Sequence, residues 1–250
     1  MELRGTGSSA STVVVPPGRA ASRDAPSGKR KIAGEAWASL AEDPFSVQFL
    51  GPWFWSLLPG HSPLEDSIPW MTFRAIRWLR AYVRPGMAAF EYGSGGSTMF
   101  LAKRVRTLVT IESDAAWYEV VSRALRAAGI TNADLRLVPP ELPHAAKVPR
   151  GSVDYEAPEM PGRTFEAYAR SIDTSPDASF DLVCVDGYAR PACIAHALPK
   201  IRGGGYLLLD NSDWTVYRDM IASLAKYPRT DFGGVGPFQA TSWRTSVWRI

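Results

Sequence analysis

FEYGSGGSTMFLA at 90–102, followed by LVTIES at 108–113, decides the fold. Residues 87–91 form a short apolar run that closes on an acid, Glu91, and reads as a strand. A glycine-rich turn follows, then a helix expected over 98–105 and a second strand over 108–112. That strand ends in Glu112, 19 residues after Gly93. The layout is that of a nucleotide-type cofactor site at the head of a parallel sheet. Gly93 and Gly95 permit backbone conformations and a close ligand approach that a Cβ would hinder. The helix after them turns its free N–H groups toward a ligand. An acid at the tip of the second strand can accept both hydroxyl hydrogens of a ribose. The plainer reading of Glu112 is a surface acid capping the helix that starts at Asp114, and a glycine turn can simply connect strand to helix.

Downstream, the pattern repeats. Asp114 is a suitable N-cap. Trp117, Val121, Ala124 and Leu125 lie on one helical face, and Gly129 suits the C-terminal stop. Residues 133–138 read as a third strand. FDLVCV at 180–185 is a near-continuous apolar run, as a parallel strand buried on both faces requires. A helix is expected over 190–198, with Pro191 early in it. Gly203, Gly204 and Gly205 lead into a strand over 206–209 that ends in Asp210 and Asn211. Ser212 or Asp213 is expected to cap a further helix with Val216, Met220, Ile221 and Leu224 as its buried stripe. Strands around 230–232 and 245–250 close the chain. The order predicts an α/β fold: a Rossmann-like, doubly wound, mainly parallel seven-stranded sheet with a closing antiparallel hairpin. Ligands of such sheets bind beyond the carboxyl ends of the strands. Glu91, Gly93, Glu112, Asp186, Asp210 and Asn211 all fall there.

Upstream of the turn, three segments are expected: a basic tail over 1–34, an aromatic helical cap over 35–67, and the sheet domain over 68–250. The tail is rich in Ser, Gly, Pro and Ala and cannot offset its own ordering entropy, so disorder is expected; a transit-like segment also fits its composition. The cap carries Trp37, Phe45, Phe49, Trp53, Phe54 and Trp55, read chiefly as core packing. Ser67 to Pro69 opens a helix whose Phe73, Ile76, Leu79 and Val83 share one face. Residues 139–163 hold six prolines and no periodicity, the mark of a long functional or mobile loop.

The 250 residues are 46% hydrophobic, enough for a sizeable core. No apolar run reaches the length of a membrane span, and Val13 to Val15 runs straight into prolines rather than forming a signal-peptide core. The formal charge of +3 belongs to the tail: residues 1–31 carry six Lys/Arg against two acids, which leaves the remainder at −1. A nucleic-acid partner is therefore not expected. Cys184 and Cys193 are too few for a disulfide framework and read as buried free thiols of a cytoplasmic protein. No motif speaks to oligomeric state.

The pattern over 68–250 resembles the class I S-adenosylmethionine-dependent methyltransferases. The resemblance rests on EYGSG at 91–95, Glu112 after strand two, FDLVCVDG at 180–187, GGGYLLLDN at 203–211 and the two closing strands. YGSGGST and VDGYARPAC look like one bacterial, small-molecule methyltransferase-like subgroup with poorly defined substrates. The third glycine of the common signature is Ser97 here. The dinucleotide fingerprint would want Gly or Ala where Thr98 stands and has no use for Glu91, so S-adenosylmethionine is favoured over NAD. The resemblance implies that Glu91 acts near the methionine end. Gly93, Ser94 and Gly95 would pass beneath the cofactor, with Ser97, Ser113 and Asp186 beside it. Glu112 would take the ribose hydroxyls, and Val138 would flank the adenine.

It also implies a reaction, methyl transfer to a small-molecule oxygen. Asp186, Asp210 and Asn211 are similar in placement to the metal triad of catechol-type O-methyltransferases, which implies Mg²⁺ on three strand-tip oxygens. The alternative is that Asp186 and Asp210 cap helices. The Lys base of that family is replaced by Ala189, with Arg190 next. Arg190 stays protonated and is expected to pair with an acidic substrate group. Together Asp186 and Arg190 are the catalytic candidates. His144 in the proline-rich loop is a second candidate base, against an ordinary solvated histidine; Asp154 and Glu156 read as exposed. Two other readings stay open: a non-catalytic S-adenosylmethionine-binding domain and an NAD-linked Rossmann oxidoreductase.

Overall fold

A computed structural model of the chain describes residue 34, residues 47–142 and residues 154–250. The tail apart from residue 34, the start of the cap and His144 lie outside the described residues. Helix α1 (Val47–Ser56) and helix α2 (Phe73–Tyr82) precede the sheet. The repeating unit then runs β1 (Ala88–Tyr92), α3 (Gly96–Ala102), β2 (Thr107–Glu112), α4 (Ala115–Ala127) and β3 (Ala133–Leu137). After the long loop come α5 (Glu166–Arg170), β4 (Phe180–Val185), α6 (Arg190–Ala197), β5 (Ile201–Leu209), α7 (Arg218–Ser223), β6 (Arg229–Gly234) and β7 (Trp243–Arg249).

The seven strands lie in the order β3-β2-β1-β4-β5-β7-β6. The five from β3 to β5 are mutually parallel, and β7 runs antiparallel between β5 and β6. The chain reverses its winding between β1 and β4, and the crevice at such a switch point is where these sheets bind ligands.

Continuous apolar strands follow from burial on both faces. In β4, Leu182 and Cys184 face one way, into a cluster with Met71, Ile76, Leu79 and Phe100 from α2, α3 and their flanks. Val183 and Val185 face the other, toward Phe165, Tyr168, Ile172 and Ile194 from α5, α6 and their flanks. Val121 and Leu125 pin α4 over Met99. Both cysteines are buried free thiols. Among the described residues no helix is long and apolar enough to cross a membrane.

Five local expectations are corrected. Helix α2 begins at Phe73, not near Ser67, because Thr72 is its N-cap: the Thr72 hydroxyl accepts from Ala75 N. Strand β5 runs through the three glycines. Gly204 sits at φ 82°, and a Cβ on Gly205 would meet Asp181 O at 2.9 Å, so the pairing with β4 shifts register there. Neither Ser212 nor Asp213 caps α7. Ser212 Oγ bonds Ser246 Oγ, and Asp213 Oδ1 accepts from Arg244 N, so both tie to the β7 region. Val216 is exposed rather than part of a buried stripe. In α1, finally, Trp53 is buried and donates to Gln239 O, while Phe54 and Trp55 are exposed rather than packed in the core.

Candidate functional site

The β1–α3 turn is held from three sides. Glu91, 1% exposed, accepts at Oε2 from Thr98 Oγ1 (2.6 Å) and Thr110 Oγ1 (2.9 Å). Thr98 Oγ1 in turn accepts from Gly95 N at 2.9 Å. Burial pushes the Glu91 carboxyl up to about 7; the Ser97, Thr98 and Thr110 hydroxyls oppose that shift, and Asp186 adds to it. Trp117, from the first turn of α4, donates its indole N–H to Ser94 O at 2.9 Å. Gly93 sits at φ 87°, and its Cβ would lie 3.1 Å from the Asp186 carbonyl group. Its glycine is thus required by the close approach of the β1 and β4 tips as well as by the turn. The sequence did not disclose that second constraint.

Glu112 stands opposite. Its Oε1 accepts from Ser113 N (2.7 Å) and Asp114 N (2.9 Å), and its Oε2 from Ser94 N (3.1 Å) and Ser94 Oγ (2.6 Å). These bonds fix the carboxylate at the mouth of the glycine turn. The helix cap beside it is Asp114, whose Oδ1 accepts from Trp117 N, so Glu112 is not the capping residue of α4. Val138 N bonds Glu112 O, which brings the end of β3 to the same place.

At the β4 and β5 tips the centre is Arg190, the first residue of α6, only 5% exposed. Nε donates to Gly187 O at 2.9 Å. One terminal nitrogen reaches Asp210 O (2.5 Å) and Asn211 Oδ1 (3.2 Å), and the other lies 3.3 Å from Asp186 Oδ1. The guanidinium carbon lies 5.5 Å from the Trp214 ring and 5.7 Å from that of Tyr217. Burial works against its charge, yet Tyr217, Asp186, Asp210 and Glu159 outweigh it and hold the guanidinium more firmly protonated than usual. The acidic substrate group expected as the partner of Arg190 is outside what this geometry shows; the hydrogen bonds present are directed at protein oxygens.

The expected Mg²⁺ triad does not fit either. Asp210 is fully buried and turns Oδ1 to Thr245 Oγ1 (2.6 Å) and Trp243 Nε1 (3.0 Å). Asp186 and Asn211 address the guanidinium. Three oxygens do converge, but on an internal cation, and Mg²⁺ needs its ligands at about 2.1 Å in an octahedron. Nor does Asp210 cap a helix. The signal that could have disclosed this was the buried, helix-opening Arg190 itself.

Beside Arg190 lies a small cleft of about 110 Å³, lined among others by Asp154, Glu156, Glu159, Val216 and Tyr217. The Tyr217 hydroxyl donates to Glu159 Oε1 at 3.4 Å, and burial pushes its pKa up to about 12.

Two solved structures are similar in fold. The O-methyltransferase TomG from Streptomyces achromogenes, in complex with S-adenosylmethionine, superposes with a TM-score of 0.55 at 18% identity, covering 90% of this chain and 99% of that one. The O-methyltransferase from Bacillus cereus, in complex with S-adenosylhomocysteine, gives a TM-score of 0.55 at 17% identity, covering 85% and 99%. No family model and no curated protein matches the sequence. The chain has the class I methyltransferase fold.

Proposed function

We propose that this chain is an S-adenosylmethionine-dependent methyltransferase acting on an oxygen of a small molecule. The observation that carries the reading is Glu112, held by four hydrogen bonds at the mouth of the Gly93–Gly95 turn. A carboxylate so fixed suits the two hydroxyls of a ribose. Strand order supports S-adenosylmethionine over NAD. A dinucleotide fold continues past β5 with a parallel sixth strand that builds the second mononucleotide half, whereas here antiparallel β7 occupies that place. The O-methyltransferase neighbours support oxygen as acceptor, and the −1 charge of residues 32–250 supports a small molecule over a phosphate backbone.

Bound S-adenosylmethionine would supply a methyl group on a sulfonium, a leaving group whose sulfur would keep the C–S electron pair as the acceptor oxygen bonded the carbon. The residues bind and align. Glu112 and the backbone of Gly93, Ser94 and Gly95 orient the nucleoside. Ser97 follows the turn and Ser113 follows Glu112, both buried, and Asp186 N bonds Tyr92 O at the β1 tip. Glu91 contributes through the turn it anchors, and its carboxylate favours a cationic ligand nearby. The acceptor occupies the cleft beyond β4 and β5, and the hydroxyl proton passes to one of its carboxylates, Asp154, Glu156 or Glu159. Mg²⁺ assistance does not enter, because Arg190 engages the oxygens it would need.

Calorimetric titration with S-adenosylhomocysteine, with NAD as control, tests the reading. Micromolar-class binding of the first and none of the second is expected. Binding of NAD alone, or of neither, overturns it.

A further inference from the structure

The residues that sequence pattern assigns to a divalent metal are gathered in this chain around a guanidinium. Asp186 from the β4 tip, and Asp210 and Asn211 from the β5 tip, contribute oxygens at 3.3, 2.5 and 3.2 Å from the terminal nitrogens of Arg190, and Gly187 O meets Nε at 2.9 Å. Trp214 and Tyr217 put their rings near the same group. For a metal to enter, the arginine would have to leave four oxygens and two aromatic rings. If it stayed, two cations would share one oxygen cage with little solvent between them. Asp210 meanwhile engages Thr245 and Trp243 through Oδ1 and offers its backbone carbonyl to the guanidinium.

We propose that Arg190 is a built-in cation that takes the place of a divalent metal: it ties the β4 and β5 tips together beside the acceptor cleft, and the chain binds no metal there. Arg190 is then a positioning residue. It fixes the start of α6 and the Trp214–Tyr217 wall, and it balances Asp186 without touching the reacting atoms. That the tips border an acceptor site rests on the methyltransferase reading; the identity of the cation does not. The relevant chemistry is that of the cavity oxygens. A carboxylate, a side-chain amide oxygen and two backbone carbonyls are acceptors suited to a planar, multidonor guanidinium, and they are equally hard-metal ligands once it is gone.

The test uses Mn²⁺ as probe, following the electron paramagnetic resonance signal of the free aqueous ion with the full chain, with and without S-adenosylhomocysteine. Wild-type protein is expected to leave the signal undiminished. Arg190→Ala is expected to take up Mn²⁺, to lose that uptake when Asp186→Asn is added, and to release the ion when guanidinium chloride is supplied at low, non-denaturing concentration. Guanidinium competition is a response that a purely structural arginine would not produce. Mn²⁺ uptake by the wild type that Asp186→Asn abolishes overturns the proposal. So does a folded Arg190→Ala protein that takes up no Mn²⁺, or one that keeps its Mn²⁺ when guanidinium is supplied. If Arg190→Ala fails to fold, the wild-type titration alone decides. Calorimetry with S-adenosylhomocysteine on the same wild-type samples separates the two questions: failure to bind it sinks the methyltransferase reading and leaves the cation result standing.

Discussion

Ser94 and Glu112 are bonded twice across the glycine turn: the Ser94 hydroxyl and its backbone N–H both donate to Glu112 Oε2, at 2.6 and 3.1 Å. The hydroxyl therefore holds the acceptor oxygen that a ribose hydroxyl would need. Trp117 steadies this arrangement from behind through Ser94 O.

Ser94→Ala is expected to tighten S-adenosylhomocysteine binding. It removes an internal competitor worth roughly 1.5 kcal/mol, about tenfold in affinity, and leaves the backbone bond in place. Glu112→Gln is expected to weaken binding by more than tenfold. Calorimetry on both variants decides. Weaker binding to Ser94→Ala would mean that the hydroxyl contacts the ligand directly and is no competitor.

The parts of this site visible in the sequence are those set by neighbours along the chain. Glu112 could be read from its spacing to Gly93 and from the apolar run before it. Strand β4 was read to its residue limits because burial on both faces leaves an unbroken apolar run. The internal partners of Arg190 are only partly legible in sequence: Asp186 and Gly187 are local, but Asp210 and Asn211 lie 20 and 21 residues away, and only sheet register brings them under its guanidinium. Ser212 failed as a helix cap for the same kind of reason, since β7 supplies Ser246 as a tertiary partner that outcompetes the local backbone. Phe54 and Trp55 look like core residues by composition, yet α1 turns them outward.

Glu91 is expected to make stability and ligand binding depend on pH. Its carboxyl titrates at about 7 in the fold against an ordinary 4.5. Between those values the unfolded chain releases a proton that the fold retains, so stability falls as pH rises from about 4.5 to about 7 and is level above that. Glu91→Gln is expected to remove this slope and to recover on the order of 3 kcal/mol above pH 7, less whatever the amide loses in hydrogen bonding to Thr98 and Thr110. Urea unfolding at a series of pH values measures it. A ligand carrying an ammonium group favours the ionised carboxylate. S-adenosylhomocysteine affinity is therefore expected to rise with pH through about 7 in the wild type and to stay flat in Glu91→Gln; a flat wild-type profile would place Glu91 out of electrostatic reach of the ligand.

Gly93→Ala joins two costs. The backbone at φ 87° lies where a Cβ is strained, and the new methyl would press on the Asp186 carbonyl group at 3.1 Å. A loss of about 2 to 3 kcal/mol is expected, with the β1 and β4 tips pushed apart. Because those tips flank the glycine turn, S-adenosylhomocysteine binding should weaken in parallel. Denaturant unfolding and calorimetry report the two losses separately. Unchanged stability would show that the turn yields without strain.

The loop that brings Asp154 and Glu156 to the cleft is held by Tyr155 between them. The Tyr155 hydroxyl bonds His196 Nε2 at 3.0 Å, His196 Nδ1 bonds Asp173 Oδ1 at 2.9 Å, and Phe165 N donates to Tyr155 O. Tyr155→Phe keeps the ring and deletes the side-chain bond, at a stability cost of about 1 kcal/mol. The side proposed to hold the nucleoside, built on β1 and β2, shares none of these contacts, so S-adenosylhomocysteine affinity is expected to stay at the wild-type value. Limited proteolysis within 154–164 is expected to quicken several-fold, and in an acceptor assay KM should rise with little change in kcat. A fall in S-adenosylhomocysteine affinity instead would mean that the loop closes over the cofactor as well as the acceptor.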